Sequence, residues 1–143
     1  MHACAVSKVD GPAVTYSTCD GYHYLCHPHH RDPGRRVMKS QWAIERKEEC
    51  TTFCETRRMA SQDDPAGVWY IGQDAYVVIG QDQERMAFFR EPVNPNDPWH
   101  GYPVGGTRAR GRKRMPPDSL ILSWLKTGHV SRHVADKIRR GVL

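Results

Sequence analysis

Cys50 and Cys54 stand four residues apart in this 143-residue chain, and Cys19, His23, Cys26, His27, His29 and His30 crowd a short segment upstream of them. On a helix, Cβ atoms at i and i+4 lie about 5 to 6 Å apart, whereas a disulfide needs about 3.5 to 4.5 Å. An undistorted helix therefore cannot bridge Cys50 to Cys54, yet both sulfurs can reach one ion through Zn–S bonds of about 2.3 Å. The spacing predicts a four-coordinate structural zinc site with Cys19, Cys26, Cys50 and Cys54 as ligands, and with His23, His27 or His29 as replacements for a loop cysteine. Reduced cysteines packed as small hydrophobes, or disulfides such as Cys19 with Cys26, are the competing readings.

A second group of candidates surrounds Trp99-His100-Gly101-Tyr102-Pro103. Loops held by prolines display functional side chains, and a histidine between two aromatics with arginines nearby has the makings of a general base. His100, with Tyr102 and Arg90, is the candidate catalytic set for a small metal-free nuclease or another phosphoryl or glycosyl transfer. The plainer alternative has Trp99 and Tyr102 closing a sheet edge with His100 as a spacer. No phosphate-binding loop and no dinucleotide glycine fingerprint occurs.

Charge points to a third set. Residues 1–106 carry 11 Lys or Arg against 14 Asp or Glu, while residues 107–143 carry 10 against 2. Arg108, Arg110, Arg112, Lys113 and Arg114 fall within seven positions. Arginine forks match phosphate oxygens, and counterion release drives association with a polyanion, so these residues with Arg132 and Lys137 are the candidate nucleic-acid contacts. A solvated charge run would look the same.

The elements that must position these groups follow from composition. Leu, Ile, Val and Phe number 25 of 143, and only 7 of them precede residue 67. A half so poor in core, holding all five cysteines and five of eight histidines, calls for a metal or a disulfide. Breakers leave residues 1–33 as loops with at most one short strand near 13–17, and Ser40 reads as the cap of a helix over about 40–60. Runs at 68–71, 75–79 and 86–89 read as a three-stranded antiparallel meander, helped by the repeated Ile-Gly-Gln-Asp at 71–74 and 79–82. Four prolines make 91–106 irregular. Two helices follow, one from Pro117-Asp118-Ser119 to Gly128 and one capped by Ser131. Their turn is similar to a helix-turn-helix, with one residue more than the common pattern. An ordinary hairpin covering the meander with Leu122, Leu125, Val134 and Ile138 is the simpler expectation.

The expected class is thus α+β: a small single domain with a Cys/His-rich, zinc-stabilised N-terminal half (1–66), then a three-stranded antiparallel β-meander, proline-rich loop, basic loop and two C-terminal helices (67–143). No apolar run suits a membrane span or a signal peptide, so a cytoplasmic location is expected. The expected function is binding of DNA or RNA through 108–140 by a protein with structural zinc. The alternatives are a nuclease or toxin-type enzyme using His100, and an adaptor or inhibitor that binds an acidic protein surface.

Overall fold

A computed structural model describes residues 4–18, 20–36, 38–59, 64–106 and 114–143. It is an α+β domain built on two antiparallel three-stranded sheets and three helices. The first sheet orders β1 (Ala5–Asp10), β2 (Ala13–Ser17) and β3 (His23–Cys26). β2 is the short strand expected near 13–17, while β1 and β3 correct the expectation of loops on either side of it. Every residue of β1 is exposed, so no alternation of buried and exposed positions marks that strand in the sequence.

Helix α1 spans Arg46–Met59, starting later than expected. Ser40 is not its cap: the Ser40 carbonyl accepts from His30 Nδ1 at 2.8 Å. The Glu48 carboxylate instead reaches back to the Glu45 N–H at 3.2 Å, one half of a capping box.

The second sheet orders β4 (Gly67–Ile71), β5 (Met86–Arg90) and β6 (His100–Val104). The run 75–79 is therefore not a strand. A 3-10 turn at Gln73–Ala75 puts Asp74 and Ala75 at φ of 49° and 59°, and Tyr76 and Val77 emerge into solvent. The third strand lies within the proline-rich segment that the sequence makes irregular. Glu91 N–H donates to Ala66 O, which fixes the hydrogen-bonding phase of β4 and β5 and turns the nitrogen of Pro103 away from β5 on the edge strand β6. A proline is tolerated at that position because no ladder bond is lost.

Helices α2 (Asp118–Lys126) and α3 (Arg132–Arg139) close one face of this sheet, and the Ser131 hydroxyl caps α3 by accepting from Val134 N–H at 3.2 Å. Leu125, Val134 and Ile138 pack inward as expected, but Leu120 and Ile121 are buried where Leu122 is exposed. Asp74 accepts from Ser131 N–H and Gln73 donates to Gly128 O, so the turn between the helices is docked on the end of β4.

The opposite face of the second sheet explains how the core-poor half is supported. Tyr24 and Phe53 from the first half pack with Phe89 and Trp99 from the second, with ring centroids 4.9 to 5.9 Å apart. Aromatic rings shared across residue 66 replace the missing aliphatic side chains.

Candidate functional site

The two sheets meet where β3 runs parallel to the start of β6. Trp99 N–H donates to His23 O at 2.8 Å and Leu25 N–H donates to Trp99 O at 2.7 Å. This junction carries the end of β3 onto His100. The chain then turns through a 3-10 helix at Pro28–His30, capped by His27, whose Nδ1 accepts from His29 N–H at 3.2 Å.

The consequence is a cluster that joins two sequence candidates 73 residues apart. The His27 ring centroid lies 5.6 Å from His100, 4.6 Å from His29 and 6.0 Å from His30. His30 stacks on Tyr102 at 5.3 Å, and Arg90 sits directly across the β5–β6 ladder from His100. All four histidines are partly exposed. Burial holds His27 below the ordinary histidine range, with His100, His29 and Lys39 adding repulsion. Burial also lowers His100, helped by Arg90. His100 Nδ1 is buried without a hydrogen-bond partner. Neutral imidazoles beside an arginine have the chemistry of proton acceptors next to an anion.

His30 is the most strongly shifted, down to about 4, because burial outweighs its bond to Ser40 O. The unfolded chain binds that proton near pH 6.5 and the fold only near 4, so its contribution to stability is complete above about 6.5, declines as pH falls toward 4, and is flat below. The expected loss over that interval is at most about 3 kcal/mol. Urea unfolding of wild type and His30→Gln at stepped pH checks it: the difference between the two should change over this window, and parallel curves would refute the assignment.

Behind the histidines lies a buried carboxylate. Glu49 is fully enclosed; Tyr24 Oη–H donates to it, and Arg31 donates from Nε at 3.1 Å and from Nη2 at 2.7 Å. Burial pushes the Glu49 carboxyl up to about 7 against the pull of Arg31. Arg31 also donates to Ile44 O at 2.5 Å, tying the histidine turn to the start of α1.

Of the expected zinc ligands, Cys50 and Cys54 do share one corner, and their companion is Cys4. Cys4 is disulfide-bonded to Cys50, and Cys54 Sγ lies 3.6 Å from Cys4 Sγ. All three sulfurs are buried within 4.8 Å of one another, and three cysteines so placed could hold a metal ion once reduced. The donor set fits a thiophilic ion such as zinc or copper(I). Cys26 is placed elsewhere: its thiol donates to Arg46 O at 3.7 Å, and burial beside Glu49 pushes its pKa well up. Cys19 lies outside the described residues. His23 projects into solvent from β3, while His27 and His29 belong to the histidine cluster. Cys4 was invisible as a ligand because it is 46 residues from Cys50 and only tertiary packing brings the two together.

The basic candidates are dispersed. Arg108, Arg110, Arg112 and Lys113 lie outside the described residues. Arg114 lies 4.3 Å over the Phe88 ring and 3.6 Å from Asp64, and Phe88 in turn pairs with Tyr102. The basic segment thus ends beside the strand that carries His100. Arg132 is exposed at the start of α3, and Lys137 lines a hollow with Asp74 and Leu143. Among the described residues no helix is long and apolar enough to cross a membrane. No protein-family model, no curated protein and no solved structure matches this chain.

Proposed function

We propose that the protein binds RNA through its basic C-terminal quarter and cleaves it by acid–base catalysis at His27 and His100. The observation that carries this reading is the 5.6 Å approach of these two rings beside Arg90. RNA supplies its own nucleophile, so cleavage needs only a base and an acid. One imidazole takes the 2′-hydroxyl proton as that oxygen attacks phosphorus; the other, as imidazolium, gives a proton to the departing 5′-oxygen. The products are a 2′,3′-cyclic phosphate and a 5′-hydroxyl. Arg90 is exposed and placed to meet the phosphate charge. Binding through 108–140 would weaken steeply with salt.

This chemistry needs one histidine neutral and the other protonated. Both rings titrate below their ordinary range, so kcat/KM should be bell-shaped with its maximum below about pH 6.5. The test is incubation of tag-free protein with a mixed-sequence RNA, with mass spectrometry of the products across pH. Cyclic-phosphate ends and an acidic optimum are expected; intact RNA at every pH would overturn the reading, and salt-sensitive binding without cleavage would leave only a nucleic-acid-binding role.

The same proposal includes structural zinc on reduced Cys4, Cys50 and Cys54, which would staple the start of β1 to α1 in the half poor in core. Metal analysis of protein purified under reductant should find about one zinc per chain, with loss of most of it in Cys54→Ser. Cys19→Ser asks whether that cysteine is the fourth donor. Metal-free protein in which Cys4 and Cys50 stay bridged would contradict the zinc assignment.

A further inference from the structure

At the edge of the second sheet opposite the strand that carries His100, β4 is the outer strand. The bond from Glu91 N–H to Ala66 O sets the phase of this ladder, so Val68 and Tyr70 pair with β5 and the backbones of Gly67, Trp69 and Ile71 face outward. Two contacts close the ends of this edge: Gly67 N–H donates to Asp64 O, and His129 Nε2 bonds Ile71 O at 2.7 Å. Between them the Trp69 N–H and carbonyl have no hydrogen-bond partner among the described residues.

They open into a groove of about 440 Å³ whose walls come from the end of α1 and from α2. Met59, Leu120 and Trp124 give it an apolar lining; of its two carboxylates among the described residues, Asp64 is already ion-paired with Arg114 at 3.6 Å, and Glu55 stands exposed. Glu55, beside an apolar lining, is the carboxylate left to attract a cationic side chain. An edge strand with an unmet donor and acceptor, flanked by helices, is the arrangement that receives an added strand.

We propose that this edge binds an extended peptide segment of a partner, pairing with Trp69 through its backbone and alternating apolar side chains with Lys or Arg. The inference is independent of the RNA-cleaving reading. The experiment is selection of random heptapeptides displayed on phage against the full chain, followed by titration of the enriched synthetic peptides into isotope-labelled protein. The expected result is enrichment of sequences alternating β-branched or aromatic residues with Lys or Arg, a downfield shift of the Trp69 amide, and affinity reduced about tenfold by Glu55→Lys, an exposed position. RNA turnover should be unchanged by that substitution. The proposal is overturned if no sequence is enriched, if enriched peptides lack basic residues or bind Glu55→Lys equally, or if they shift amides elsewhere. Protection of Trp69 by self-association would also overturn it, in favour of a second copy pairing β4 with β4.

Discussion

Glu49→Ala is expected to destabilise the fold by about 3 to 5 kcal/mol, the cost of removing one partner from a buried ion pair. The substitution strands two groups. Tyr24 is fully buried and its hydroxyl loses its acceptor, while Arg31, whose side chain is only 13% exposed, keeps just the Ile44 carbonyl. A domain of this size is stable by about 5 to 15 kcal/mol, so the variant sits near the edge of folding at 37 °C. Glu49→Gln keeps an acceptor for both partners and removes the buried charge, so it should lose much less. Urea denaturation of the three proteins at pH 7 measures the order directly; equal midpoints for Glu49→Ala and wild type would show that the network contributes nothing.

His100→Ala is expected to lower kcat/KM on RNA by about a hundred- to ten-thousand-fold, the range associated with one positioned proton-transfer group. Its thermal midpoint should move little, because His100 sits at the partly exposed start of an edge strand and its Nδ1 makes no bond that would be lost. His27→Ala should show the same kinetic loss with a slightly larger stability cost, since His27 also caps the Pro28–His30 turn. His29→Ala is the control. Its ring lies 4.6 Å from that of His27 and, among the described residues, makes no ring contact with β6, so turnover should fall less than tenfold.

How much of this was legible beforehand depends on whether the relevant interaction is local. The Ser131 cap, the breaker at Gly128 and the apolar spacing of α2 and α3 act within a few residues, and both helices lie where the sequence puts them. β4 and β5 were visible as runs of Val, Trp, Tyr and Phe. β1 was hidden because it buries no face, and β6 because its proline points off the open edge of the sheet. The run at 75–79 has strand-like composition, but left-handed Asp74 and Ala75 turn it out of the sheet.

The site divides in the same way. Cys50 and Cys54 on one helical face and His100 between aromatics were readable from spacing and neighbours. That Cys4 completes the sulfur corner depends on tertiary packing across 46 residues, and that His27 meets His100 depends on the parallel junction of Tyr24 with Trp99. No short-range signal encodes that junction. The weak aliphatic core of residues 1–66 pointed to a metal or a disulfide; Cys4 and Cys50 are bridged, and aromatic rings shared with the second half, which the sequence did not signal, add to the support.

The measurement that bears most directly on the account is kcat/KM for RNA cleavage by wild type, His27→Ala, His100→Ala and the double variant. Two groups that act as one catalytic unit lose almost everything when either is removed, so the double variant should be scarcely slower than either single. Small losses that simply multiply, or full activity in any of the three variants, would contradict a catalytic pair.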